Sequence, residues 1–166
     1  MVAPYEVAAQ VLDPELRVVT IEELGILRDA RAEPDRAVVT ITPTYSGCPA
    51  MDVIRAEVTR ALRRAGWATV EVVTQLRPSW TTDWITESGR AKLAAAGIAP
   101  PAPVRGTDGA AGPVPLGMPG RRPPAPACPW CGSTATEEVS RFGSTACKSL
   151  WRCDQCREPF EHVKAI

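Results

Sequence analysis

Ala37-Val-Val-Thr-Ile-Thr-Pro-Thr-Tyr-Ser-Gly-Cys-Pro-Ala-Met-Asp-Val-Ile-Arg-Ala-Glu-Val-Thr-Arg-Ala-Leu-Arg-Arg-Ala65 changes its hydrophobic period half-way along. Ala37 to Thr42 is rich in Val, Ile and Thr and reads as a strand. Pro43 to Pro49 is loop. From Pro49 to about Ala65, Met51, Ile54, Val58, Leu62 and Ala65 recur at helical spacing, while Arg55, Arg60, Arg63 and Arg64 lie elsewhere. Pro49 suits a first helical position, and Gly66 ends the run. A strand feeding a helix through a tight loop calls for a second strand after it, and Thr69 to Leu76 supplies one.

Outward from this unit, Ile26 to Ala32 reads as a strand, joined to Ala37–Thr42 by the turn residues Pro34-Asp35. Tyr5 to Leu12 reads as a short helix stopped at Asp13-Pro14. Thr20 opens a helical turn over Ile21 to Leu24, with Gly25 as its C-terminal cap. Thr82 to Ala96 reads as a final helix ending at Gly97. The expected fold is α+β, in the order α-β-β-α-β-α: a small mixed sheet with helices packed on it, over residues 1–96. Trp67, Trp80 and Trp84 are its large anchors, expected to close the sheet edge and pack the last helix.

The chain has 166 residues, with 19 basic and 19 acidic side chains. Zero formal charge argues against a protein that coats nucleic acid or an anionic membrane, because both need excess cations. No apolar run approaches the ~18 residues of a membrane span. The N-terminal residues carry Glu6 and no basic cluster, so they do not resemble a signal peptide, and a cytoplasmic setting is expected. Nine of the 17 prolines fall between Pro100 and Pro126, together with five glycines and few large apolar residues. Residues 97–127 are therefore expected to be a flexible Pro/Gly-rich linker, leaving 128–166 as a second, smaller domain.

That small domain holds Cys128-Pro-Trp-Cys131 and Cys153-Asp-Gln-Cys156. In a reducing compartment clustered cysteines are metal ligands or reactive thiols more often than disulfides. Two CxxC knuckles flanking a hairpin, here with Glu138–Phe142 and Ser149–Arg152 as strands, complete a tetrahedral S4 site suited to zinc. The expected architecture is a zinc ribbon with Cys128, Cys131, Cys153 and Cys156 as ligands. An iron centre on the same four cysteines is the main alternative. At 39 residues the segment is too small to fold without such a staple, so metal binding supplies its folding energy. His162 is expected at the surface of the last strand. Cys147 is a fifth thiol, either a small packed residue near the hairpin tip or an exposed thiol at a partner surface.

Cys48 lies where a strand's loop meets a helix N-terminus, whose amides stabilise a thiolate and lower the thiol pKa. It could be a nucleophile or soft-metal ligand; equally it could simply pack. Asp13-Pro14-Glu15 puts two carboxylates on one turn, as metal ligands or, by default, as a cap. There is no Ser/His/Asp set, because the sole His lies in the other domain, and no phosphate-cradling Gly loop.

Val11-Leu-Asp-Pro-Glu-Leu16, Ile21-Glu-Glu-Leu-Gly-Ile26 and Val38-Val-Thr-Ile-Thr-Pro-Thr-Tyr-Ser-Gly-Cys-Pro49 resemble the SufT-like iron–sulfur assembly domain over residues 5–96. With the ribbon and its Phe142-Gly-Ser-Thr-Ala-Cys-Lys-Ser-Leu-Trp-Arg-Cys153 stretch, the whole chain resembles the PaaD (PaaJ) family, D components of the multicomponent phenylacetyl-CoA epoxidase of phenylacetate catabolism. The resemblance implies an accessory or maturation component without the di-iron site. It implies Cys48, with Asp13 or Glu15, as handlers of a transient iron–sulfur cluster or iron, and zinc as a structural cofactor. It implies the other epoxidase components, or their iron–sulfur reductase, as partners. Two other readings compete. A nucleic-acid-binding zinc-ribbon regulator would need a basic stripe, and residues 128–166 carry five basic and five acidic side chains. A thiol enzyme using Cys48 or Cys147 would need a base, and no His lies near either in sequence.

Overall fold

The computed structural model describes residues 2–45, 47–102 and 124–164. The chain divides into two compact units, Met1–Ala96 and Gly97–Ala165.

The first unit is built on a three-stranded sheet in the order β1-β2-β3. β1 (Leu27–Glu33) and β2 (Arg36–Ile41) form an antiparallel hairpin, paired from Leu27↔Ile41 to Glu33↔Arg36. β3 (Val70–Thr74) runs parallel to β2, from Ala37↔Val70 to Ile41↔Thr74. The parallel pairing requires a crossover, and helix α2 (Ala50–Arg64) makes it. Its buried face is Met51, Ile54, Val58 and Leu62, the stripe read from the sequence. These close on Val39 and Ile41 of β2 together with Val19, Ile21 and Leu93, all nearly inaccessible to solvent.

Three expected elements differ in detail. Helix α1 spans only Pro4–Ala8, because Leu12 is drawn into an isolated bridge with Thr20. Pro49 is the N-cap residue of α2 rather than its first helical residue. The final helix is two pieces: a 3-10 turn, Thr82–Trp84, and α3, Glu87–Ala95. The break is chemical. Thr86 is extended, and its hydroxyl accepts the Gly89 N–H at 3.0 Å, so a new helix is capped there.

The turn at Ile21–Leu24 is held by a reciprocal capping box. The Thr20 hydroxyl accepts the Glu23 N–H (3.1 Å), and Glu23 Oε2 accepts the Thr20 N–H (3.0 Å). Gly25 follows at φ +70°, where a Cβ would sit 2.6 Å from that of Trp84. Trp80 is buried and donates to the Leu24 carbonyl at 2.8 Å, while Arg28 lies 3.7 Å over the Trp84 ring. Trp67 reaches the Val2 carbonyl, at 3.4 Å.

The second unit is a four-stranded sheet in the order β4-β7-β6-β5. β5 (Thr136–Ser140), β6 (Lys148–Cys153) and β7 (Pro159–Val163) form an antiparallel meander. The two hairpin strands expected from the sequence lie at nearly these positions. β4, Ile98–Ala99, pairs parallel with β7. Composition alone puts these two residues in the linker; they are sheet instead, because Ala99 is buried with Cys128, Cys153 and Phe160 in the unit's small core. Residues 103–123, most of the expected linker, lie outside the described residues.

Candidate metal centre and the Cys48 loop

The two knuckles share one design. In the first, the Gly132 N–H donates to the Cys128 carbonyl at 2.8 Å; in the second, the Arg157 N–H donates to the Cys153 carbonyl at 3.0 Å. Each donor follows the second cysteine of its pair and is left-handed, with φ +74° at Gly132 and +68° at Arg157. This turn points both thiols of a pair to one side.

The four sulfurs of Cys128, Cys131, Cys153 and Cys156 lie within 4.8 Å of one another. Cys131 and Cys153 sulfurs are 3.5 Å apart, and Cys128 and Cys156 sulfurs 3.7 Å. A tetrahedron with metal–sulfur arms of ~2.3 Å has edges of about 3.8 Å. The spacing is far beyond a disulfide bond and matches a shared ion, so the donor set fits zinc. Electrostatics agrees. The Cys156 amide leads in pulling the Cys153 thiol down to about 6. Against the lowering pull of the Glu158 amide, burial and the three neighbouring sulfurs push Cys156 up to about 12. Four thiolates at this separation need a cation to coexist.

Cys48 is half-buried, just before α2. Its sulfur lies 3.9 Å from the Thr44 hydroxyl. The sequence expectation of a lowered thiol pKa is overturned. Burial raises it, outweighing the Ala50 amide and the Thr44 hydroxyl, and the Glu15 and Asp13 carboxylates add to the rise. The fold thus brings Cys48 within electrostatic reach of both carboxylates. Asp13 is 5% exposed and caps its own turn: Oδ1 accepts the Glu15 N–H at 2.9 Å and the Leu16 N–H at 2.7 Å. Among the described residues the four ribbon cysteines are the one group of three or more ligand residues gathered closely enough to hold an ion, so Cys48, Asp13 and Glu15 are not a closed ligand set. Two surface hollows on the first unit, of about 630 and 500 Å³, are lined by neither Cys48 nor Glu15.

His162 is not the surface residue expected. It packs edge-on to Trp151, with ring centroids 6.0 Å apart, and burial pushes its imidazole down to about 4. Cys147 is half-buried at the end of the β5–β6 turn, 3.1 Å from the Thr145 hydroxyl. Glu23 is the residue that sequence reading missed. Its carboxylate takes Lys92 Nζ and the Ser88 hydroxyl at 2.7 Å each, besides its capping bond. The spacing Thr20-x-x-Glu23 was the signal that could have found it.

The comparisons with known proteins match both units. Residues 6–74 match the family model for an iron–sulfur cluster assembly protein, and residues 115–164 match the PaaD zinc beta ribbon domain. An Escherichia coli (strain K12) protein, named as the D component of 1,2-phenylacetyl-CoA epoxidase, is 43% identical over 162 residues, covering 98% of this chain and 91% of its own. The chain belongs to the PaaD family. Among solved structures, the domain of unknown function DUF59 from Bacillus anthracis is 30% identical, covering 54% of this chain and 87% of its own, with TM-score 0.50. A conserved hypothetical protein from Thermotoga maritima is 25% identical, covering 55% of this chain and 90% of its own, with TM-score 0.46. PaaD membership accounts for both the order of the units and the four-cysteine cluster. No helix among the described residues is long and apolar enough to cross a membrane.

Proposed function

We propose that this chain is an accessory, maturation-type component of a phenylacetyl-CoA epoxidase system, assisting assembly of an iron–sulfur or iron centre in another component. The observation that carries the reading is the meeting of Cys48 with the Asp13-Pro14-Glu15 turn. These residues are distant in sequence, and the fold puts them in electrostatic reach of one another within the iron–sulfur assembly domain. A soft sulfur beside two hard carboxylates is a donor set iron accepts. The raised thiol favours the protonated resting form, so a metal ion must displace the proton to be held, and release on reprotonation is built in. This suits cargo rather than a resident cofactor. The same raised thiol, lining neither surface hollow, weighs against the thiol-enzyme reading. The ribbon's four cysteines hold structural zinc, and the ribbon serves to dock partners: the other epoxidase components or their iron–sulfur reductase, in the cytoplasm.

The test is Cys48→Ser in a strain lacking its own copy, scored by growth on phenylacetate. Growth is expected to fail while the purified variant keeps about one zinc per chain. Anaerobic metal analysis is expected to find iron with the unaltered chain and less with the variant. Full growth of the variant refutes the reading.

A further inference from the structure

The Phe142–Cys153 stretch carries much of the family resemblance, yet only its last residue is a zinc ligand. Most of the others have a structural task. A Cβ on Gly143 would meet Glu161 Oε1 at 2.8 Å, so glycine is what lets that carboxylate approach. The Ser144 N–H donates to Glu161 Oε1 at 2.6 Å, and Lys148 donates to Glu161 Oε2 at 2.7 Å. Lys148 is only 3% exposed. From the far side, Lys164 donates through its N–H to the Cys147 carbonyl and through Nζ to the Ala146 carbonyl. The loop from Ser140 to Cys147 is thus pinned from both sides, and one pin is a nearly buried ion pair.

A buried ion pair is poor stabilisation per residue and is kept where it defines one conformation. What this loop holds out is Phe142. Its own N–H bonds the Ser140 hydroxyl, yet its ring is 70% exposed, the most of any large apolar side chain described. An exposed apolar residue alone means little. A rigidly presented aromatic ring is different, because the ordering cost of binding is met in advance. Lys164 Nζ lies 4.7 Å from the ring centroid, and Arg141 is exposed beside it, while Glu161 is already matched by Lys148.

The geometry points to the Ser140–Cys147 loop as a docking element whose anchor is Phe142, for a protein partner offering an apolar pocket rimmed by carboxylates. The ring fills the pocket; Arg141 and Lys164 meet the rim. Nucleic acid suits the site less. Residues 128–166 hold five basic and five acidic side chains, and four thiolates around one divalent ion add net negative charge.

The inference rests on the proposed accessory role and names the surface that serves it. The test titrates the full zinc-loaded chain against each purified epoxidase component. Phe142→Ala is expected to weaken the complex at least ~30-fold while zinc content and Tm stay unchanged. Arg141→Glu is expected to weaken it at low salt, with the difference closing as salt rises. If the unaltered chain binds no component, the accessory role and this inference both fall. If it binds and Phe142→Ala stays within about twofold, this inference alone falls. It also falls if the variant sheds zinc, if Phe142 instead drives self-association in sedimentation, or if the loss is of nucleic-acid binding.

Discussion

Replacing Glu23 by Gln is expected to cost the first unit more than any other single surface-polar change, and the cost should depend on pH. The Glu23 side chain is 9% exposed and ties the 20–25 turn to α3. Burial opposes its ionisation, but Lys92, the Thr20 amide and the Ser88 hydroxyl outweigh that and hold the carboxyl at about 2 against an ordinary 4.5. That displacement corresponds to about 3 kcal/mol of stability at neutral pH. Lys92 is 49% exposed, so part of its contribution is screened, and about 2 kcal/mol is the working figure. The sign follows from linkage. A depressed carboxyl stabilises fully above its unfolded value and loses that contribution as pH falls from about 5 toward 2. Glu23→Gln keeps the shape and removes the charge, so it should be about 2 kcal/mol less stable at pH 7 and nearly equal to the parent near pH 2. Urea titrations of both proteins from pH 7 to pH 2.5, read by hydrogen exchange at Thr20 and Thr86, measure the difference. Loss of zinc from the ribbon at low pH is common to both proteins and cancels. A difference below about 0.5 kcal/mol at pH 7, or one unchanged at pH 3, refutes the assignment of Glu23 as the charged tie.

Three further outcomes are expected. Chelating the metal, or Cys153→Ser, should raise hydrogen exchange across Lys148–Val163 and Ile98–Ala99 to near-unprotected rates while Val38–Ile41 stays protected; protection that outlasts zinc loss would refute the metal staple. Arg157→Gly should raise stability by about 0.5–1 kcal/mol in a thermal melt, because the residue sits at φ +68° and is exposed; a destabilised variant would show that the Arg157 side chain matters more than its backbone. The His162 imidazole should titrate near 4 by NMR. The unfolded chain takes up that proton first, near 6.5, so the second unit loses stability as pH falls from about 6.5 toward 4; a midpoint near 6.5 would place the ring in water.

The elements of both units were legible because their signals are local. The α2 stripe, the β2 run of β-branched residues and the two knuckles each need only a short window of sequence. Cys48 was legible as a residue at a strand–helix junction, but its acidity was not. The helix-end amides that lower a thiol pKa can be read from spacing. The burial that raises it, and the Asp13 and Glu15 carboxylates that reinforce it, arrive from other parts of the chain. Glu23 shows the same division: its capping box is local, while Ser88 and Lys92 are brought by α3.

The sequence by itself determined the two-unit order, the fold class and the four sulfur ligands, since hydrophobic period and CxxC spacing survive without tertiary contacts. Only the tertiary structure decided where the ribbon begins. Ile98 and Ala99 sit beside a proline-rich run and look like its first residues, yet β7 has an edge and the small core around Cys128, Cys153 and Phe160 has room for Ala99. A strand of two residues has no sequence period to reveal it. It exists because an unpaired sheet edge and unburied apolar surface in one part of the chain are satisfied by whatever residues another part can supply.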